Sequence, residues 1–350
     1  MEERKEIVNK HISKGMKAEK AAAIAGFSRS GYYYKPNGKK PGKRPSVYTK
    51  KKNGNLVKNT QVVEEIKKIL KPDFIDYGYD KVKAELITQG FIINRKKVYR
   101  LMKQHNLLNP VHFRGKISKK YVKYSQPYPA FPLQFVEIDI KYIYISGENK
   151  NAYLITILDV FNREALARIL SYSMKSTQVI ELLDELIIKY LQPADLLNKN
   201  ITVTIRSDNG SQFASKMVRE HLNKNQIEQE FIKPATPQQN GYIESFHATV
   251  EKLVCQKFEF DDIKHAQRVF EKFFETYNNK RILKCLLNKS PKEFKNEWEN
   301  GKIEVVYKIK TKKQIFFFRE KQNIEPVPFP YRRFSKGYSE DNKLFYNKYN

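Results

Sequence analysis

Cysteine and tryptophan are scarce in this 350-residue chain, which has two Cys and one Trp. Cys255 and Cys285 cannot by themselves complete a structural zinc site, and they do not form the dense disulfide framework of a small secreted domain. A reduced, cytosolic setting is therefore expected. No apolar run approaches the roughly 20 residues that a membrane-spanning helix requires. The opening MEERKEIVNK lacks the apolar segment of a secretory signal, so a soluble protein is expected. Acidic residues are also in short supply, 38 against 66 Lys plus Arg, for a formal charge of +28. That imbalance points to a polyanionic partner, above all nucleic acid.

What is present is enough to fold. The chain is 40% hydrophobic and 13% aromatic, and its length allows two or three domains with real cores. The charge is uneven. Residues 1–60 carry 16 Lys/Arg against 4 Asp/Glu, and residues 302–350 carry 12 against 5, whereas residues 131–254 carry 13 against 15. Basic arms thus flank a near-neutral middle, as expected if the arms hold nucleic acid and the centre does chemistry.

Residues 1–36 read as short helices broken at Gly15 and Gly26, with Ser28 as an N-cap, and AAAIAGFSRSGYY has the small-residue packing of a helix-turn-helix. A plain helical hairpin fits the segment about as well; its charge tips the reading toward DNA. Residues 37–60, rich in Pro, Gly and Lys, read as a flexible basic linker able to track phosphates. Residues 61–109 hold a second helical unit. Val62, Val63, Ile66, Ile69 and Leu70 form one apolar face, ended at Pro72, and Val82, Leu86 and Ile87 point inward from a helix stopped at Gly90. Asn94 caps RKKVYRLMKQHNLL, with Val98, Leu101 and Met102 inward and Arg95, Lys96, Lys97, Arg100 and Lys103 outward. The pattern predicts a second helix-turn-helix whose last helix reads a groove, against the plainer reading of a solvated basic face.

After a basic, aromatic connector over 110–130, LQFVEIDIKYIYI, AYLITILDVF and EALARILS are three strand patterns with turns at Gly147 and Asn162. A helix over 178–191 follows, with Ile180, Leu183, Leu186 and Ile187 on one face. ITVTIRSD is a fourth strand, 211–225 a helix, QIEQEFI a short fifth strand, and 242–258 a helix reached through PATPQQNG. The order βββαβαβα is that of a ribonuclease H-like α/β core with a mixed sheet, here within a multidomain chain whose N-terminal units are all-α. The core with its terminal helices spans 131–297, and 298–350 is a basic extension in which KIEVVYKIKTKKQIFFFR alternates as a small β module.

Three carboxylates stand out. Asp139 lies mid-strand, where an apolar side chain is the default; Asp208 ends the fourth strand in RSDNGSQF; Glu244 lies in a helix, with 35 residues separating it from Asp208. Each alone is usually a solvent-facing residue. In this strand order, however, the first and fourth strands are neighbours, so Asp139 and Asp208 can meet near their ends while a helix beside that edge delivers Glu244. Hard oxygen ligands of this kind suit Mg²⁺, or Mn²⁺ in its place. Two such ions about 4 Å apart activate a water or 3′-hydroxyl on one side of a phosphate and steady the leaving oxygen on the other. Asn209-Gly210 permits a sharp turn after Asp208, and Gln239-Asn240-Gly241 is a polar turn where DNA backbone can approach a helix start. His247, one turn after Glu244, could touch the phosphate, with a structural role slightly ahead.

These residues resemble the DDE transposase and retroviral integrase superfamily, most closely the catalytic second-frame protein of the IS-three family of insertion sequences. The matching blocks are AAAIAGFSRSGYYYKP, YGYDKVKAELITQGFIINRKKVYRLMKQHNLL, VEIDIKYI, RSDNGSQF, QQNGYIESFHATVEKL and YNNKRILKCLLNKSPKEF. The resemblance implies metal-dependent cutting and joining of DNA at the inverted-repeat ends of a mobile element, with Asp139, Asp208 and Glu244 as catalytic residues and metal ligands. The basic face of the second helix-turn-helix makes Arg95, Lys96, Lys97 and Arg100 candidate DNA contacts, the polar turn adds Asn240, and Lys252, beside the family's basic position, is a further candidate. The partners implied are element ends and target DNA, further copies of the chain on DNA, and a small upstream-frame helix-turn-helix protein, in a bacterial cytoplasm at the nucleoid. The chain departs from the family at three places. Glu251 stands where a Lys or Arg is common, with the lysine at Lys252. Lys284 replaces the terminal-signature histidine, and the chain continues past Lys302. The rival readings are an inactive relative that represses by occupying element ends, and a nuclease that cuts without joining.

Overall fold

The computed structural model describes residues 2–34, 45–110, 127–197, 201–233, 237–308 and 313–319. The first part of the expected linker, most of the 110–130 connector and the chain beyond 319 lie outside the described residues. Two compact units are present, 1–47 and 48–350.

In the first unit, α1 (Glu2–Ser13), α2 (Ala18–Ile24) and α3 (Arg29–Tyr33) enclose a small core of Val8, Ala21 and Ala22. Ser28 caps α3 as expected, its hydroxyl accepting the N–H of Gly31 at 3.0 Å. Tyr32 ties α3 back to α1 by donating to Asn9 Oδ1 at 2.6 Å.

The second unit begins differently from the expected linker. Residues 48–58 form a hairpin, β1 (Tyr48–Lys51) and β2 (Leu56–Lys58), turned at Gly54 with φ +89°. The lysines hid it: outward-facing Lys side chains suit an exposed strand, while Thr49, buried and bonded to Asn59, and its cross-strand partner Val57 face the core. With β3 (Phe91–Ile92) the hairpin makes a three-stranded sheet of order β2-β1-β3, so this region is mostly helical rather than all-α. The helices are α4 (Asn59–Leu70), α5 (Tyr79–Thr88) and α6 (Arg95–Gln104). Val62, Val63, Ile66, Val82, Leu86, Val98, Leu101 and Met102 are buried together. Ile87, expected inward, is 37% exposed, because it lies about 100° around the helix from Leu86 and off the apolar stripe.

The larger part of the unit is a five-stranded mixed sheet of order β6-β5-β4-β7-β8. β4 (Phe135–Ile145), β5 (Lys150–Asp159) and β6 (Ala165–Ser171) are antiparallel neighbours; β7 (Val203–Ser207) runs parallel to β4, and β8 (Ile227–Phe231) parallel to β7. α7 (Ser176–Leu186) and α8 (Lys216–Lys224) cover one face over Val136, Ile138, Ile155 and Ile157. α9 (Gly241–Val250) and α10 (Ile263–Asn279) cover the other over Ile143, Ile145 and Leu154. α7 and α9 each continue into a π-type turn, Ile187–Leu191 and Glu251–Cys255. The helix expected from 211 starts only at Lys216, capped by Ser215, because Gly210 O accepts the N–H of both Phe213 and Ala214 and holds that segment as a turn over buried Phe213. Gly147 sits where a Cβ would meet Asp261 O at 2.1 Å, so that turn requires glycine for space.

α11 (Pro291–Glu299), with a capping box at Ser290 and Glu293, packs under the hairpin of β9 (Ile303–Lys308) and β10 (Lys313–Phe318). The small helical domain is joined to the core. Phe74 packs against Phe258 and Phe273, and Tyr77 O–H donates to Lys280 O while accepting from Ile282 N. Arg281 donates to Phe74 O at 3.0 Å and to Asp76 Oδ1 at 2.8 Å. Among the described residues no helix is long and apolar enough to cross a membrane.

Candidate active site

Alternation along β4 divides its residues between two layers. Val136 and Ile138 enter the core beneath α7 and α8, while Glu137, Asp139 and Lys141 turn to the face on which α9 lies. Three contacts then follow one another along the strand and helix. Glu137 Oε2 accepts the backbone N–H of Ile243 at 2.8 Å, His247 Nδ1 lies 3.3 Å from Asp139 Oδ2, and Lys141 Nζ lies 2.8 Å from Glu251 Oε2. Two residues of strand advance about 6.7 Å and four of helix about 6 Å, so steps of two on β4 and four on α9 stay in register. Glu244, next to Ile243, is exposed in the first turn of α9.

Asp208 follows β7, the parallel neighbour of β4, as the strand order required. Its Oδ1 accepts the N–H of Gly210 at 2.9 Å, the sharp turn expected there. Partial burial and then the Asp139 charge raise the Asp208 pKa above its ordinary value, against the Gly210 hydrogen bond. Glu244 is raised the same way, by burial and then Asp139, with His247 opposing. Asp139 is thus the electrostatic neighbour of both other carboxylates. Among the described residues no three His, Cys, Asp or Glu side chains lie close enough, as they stand, to form a metal cluster. The donor chemistry nevertheless fits a hard divalent cation: Asp208 and Glu244 are carboxylates raised chiefly by burial and further by Asp139, a state that a cation would relieve.

His247 is buried, and its Nε2 lacks a hydrogen-bond partner, so it serves as an internal neighbour of Asp139 rather than a group on the surface. Two of the residues expected to touch DNA have partners within the chain. Asn240 is 3% exposed, with its amide toward Ile138 O at 3.5 Å, because the turn it occupies is pressed onto β4. Lys252 is ion-paired with Asp76, since the helical domain docks directly against the turn after α9. On α6, Arg95 pairs with Asp80 at 3.1 Å and stacks on Tyr79, Lys97 donates to Tyr48 O, Lys96 is exposed and Arg100 is half-buried. These four stay on one helix, separate from the carboxylates.

Two residues of the site escaped the sequence reading. Glu137 is wholly buried, and burial pushes its carboxyl up to about 7 against the Ile243 hydrogen bond and the charges of Arg206 and Arg163. Its signal was the alternation in VEID, which puts Glu137 on the same face as Asp139. Arg206 ties the fourth and fifth strands to the approach to α9, donating to Glu230 at 2.9 Å and to Gln239 O at 2.8 Å while lying over the Phe135 ring.

A mixed sheet of this order, with carboxylates on adjacent central strands and a third on the helix across them, defines a polynucleotidyl transferase core of the ribonuclease H-like type. Integrase core domain families match residues 130–237 and 225–291, and an HTH-like domain family matches residues 58–114. The putative transposase InsK for insertion sequence element IS150 of Escherichia coli (strain K12) is 24% identical over 229 residues, 63% of this chain and 78% of that protein. An uncharacterized 31.7 kDa protein of insertion element IS407 from Burkholderia multivorans is 24% identical over 219 residues, 62% of this chain and 75% of its own length. Among solved structures, the HTLV-2 integrase catalytic core domain in complex with magnesium, trimeric form, is 16% identical with a TM-score of 0.34, covering 47% of this chain and 97% of that one. A simian T-cell lymphotropic virus intasome is 15% identical with a TM-score of 0.39, covering 63% and 70%. These matches support an insertion-sequence transposase of the DDE type, and the IS-three family fits it.

Proposed function

We propose that Asp139, Asp208 and Glu244 hold two Mg²⁺ ions, replaceable by Mn²⁺, and that the protein nicks and joins DNA strands at the inverted-repeat ends of its insertion sequence. The observation that carries this reading is the position of Asp139 on β4, whose parallel neighbour β7 leads into Asp208, with His247 of α9, one turn after Glu244, 3.3 Å from the Asp139 carboxylate. The ions, when bound, supply charge neutralisation and an activated oxygen nucleophile at the scissile phosphate. The chain's part is to hold the three carboxylates on a sheet and a packed helix, to keep His247 beside Asp139, and to present DNA. Lys96 and Arg100 on α6 read bases of the element ends, with Arg95 and Lys97 able to exchange their internal partners for phosphate. Phosphate contacts from the basic arms supply most of the affinity and make it salt-dependent. Two ends must be brought together, so copies of the chain assemble on DNA, with a small upstream-frame helix-turn-helix protein as a further partner, at the nucleoid.

The test is Glu244→Gln with labelled element ends. It should leave end binding intact and abolish nicking and strand transfer in Mg²⁺; cleavage retained by the variant would sink the assignment. A wild-type protein that shifts the ends and never cuts them in Mn²⁺ would indicate a repressor. Cutting with no joined product would indicate a nuclease.

A further inference from the structure

We propose that Glu137 is a positioning residue that sets the axial register of α9 on β4 and thereby places Glu244 beside Asp139. The inference rests on the metal-site reading above and deepens it.

The first-turn N–H groups of a helix have no acceptor within the helix and need one from elsewhere. α9 lacks the usual local solution, because Asn240 at its N-cap makes no side-chain cap. The N–H of Ile243 goes instead to Glu137 Oε2 at 2.8 Å, from a residue 106 positions earlier. Glu137 is 0% exposed, and its second oxygen is buried without a hydrogen-bond partner. A fully buried carboxylate is costly, and packing alone would be satisfied by an apolar side chain. The helix N-terminus supplies what the carboxylate needs, an N–H donor and a positive dipole end. The pairing therefore pins one particular residue of α9 to one particular residue of β4.

That pin lies two residues before Asp139 on the strand and one before Glu244 on the helix. A one-residue slip of α9 would move Glu244 by about 1.5 Å along the axis and about 100° around it, away from Asp139. The far end is pinned too. Lys141 and Glu251 pair at 2.8 Å, so the acid standing where relatives commonly carry Lys or Arg has a partner on β4. Asp139 and His247 lie between the two pins.

The test uses the full chain and two variants of one residue. Glu137→Gln keeps an oxygen acceptor for Ile243 N–H, and Glu137→Leu removes it. For Glu137→Leu we expect Mn²⁺ affinity, read by titration calorimetry without DNA, to fall by about tenfold or more. The turnover number for nicking should fall by about a hundredfold with KM for element ends unchanged, and exchange of the Ile243 amide should speed up. Glu137→Gln should restore most of each. A folded Glu137→Leu protein with wild-type Mn²⁺ affinity, or a Gln variant as impaired as the Leu variant, overturns the proposal. If Glu137→Leu does not fold, the more exposed pin decides: Lys141→Glu and Glu251→Lys should each weaken Mn²⁺ binding and the double exchange should restore it, whereas additive losses overturn the idea. Wild-type protein that neither binds Mn²⁺ nor nicks would instead remove the functional reading itself.

Discussion

α6 and α9 both begin behind an asparagine and both carry residues of the proposed site or DNA contact in their first turn, yet only α6 is held by its asparagine. Asn94 has an extended backbone, φ −101° and ψ 161°, and its side chain accepts the N–H of Lys97 at 2.9 Å. Asn240 has ψ 32°, because the turn Pro237–Asn240 runs straight into the helix, and from there it makes no cap. The start of the basic helix is settled within four residues. The start of the carboxylate-bearing helix is settled by the sheet, through Glu137. A helix proposed to hold one ligand of a site whose other proposed ligands lie on or beside strands gains from being registered against those strands.

The largest effect should come from severing the joint between the two regions. Asp76 pairs with buried Arg281 on one side and with Lys252, just past α9, on the other. Asp76→Ala would leave the Arg281 charge buried without its carboxylate, and we expect a loss of about 3–5 kcal/mol in urea unfolding. A loss well under that would mean the two regions are not coupled through this residue. Next in size, Asn94→Ala should cost about 1 kcal/mol and speed amide exchange at the start of α6. It should leave Mn²⁺ affinity untouched, and a change there would show that α6 and α9 are not separately anchored.

The smallest effect is one of pH. Burial alone would raise the Asp76 pKa, but Lys252 and Arg281 outweigh it and hold the group below its ordinary 3.8. A carboxyl depressed in the folded state stabilises that state above its unfolded pKa, and this contribution is lost as pH falls from 3.8 through the lower folded value. Amide exchange at Ile282 should therefore accelerate in that acid window, and Asp76→Asn should flatten the dependence.

Much of this was legible because it is local. Period-two alternation marked the first three core strands, and the caps at Ser28 and Asn94 were readable because each bond spans three residues. The hairpin at 48–58 was not, since its lysines resemble those of a linker and only Thr49 and Val57 face the core. Ile87 and the late start of α8 failed for a related reason: one residue around a helix, or two hydrogen bonds to Gly210 O, decides them and leaves no periodic trace.

By itself, then, the chain of residues determined which elements form the core, their order and the adjacency of the strand bearing Asp139 to the strand leading into Asp208, because those follow from periodicity, turn chemistry and sheet connection rules. Only the tertiary structure decided that Asn240 is buried and Lys252 pairs with Asp76, that Glu251 meets Lys141, and that a buried Glu137 fastens α9 where Glu244 can face Asp139. Those outcomes depend on how a strand and a helix more than a hundred residues apart lie against each other, and no local pattern encodes that distance.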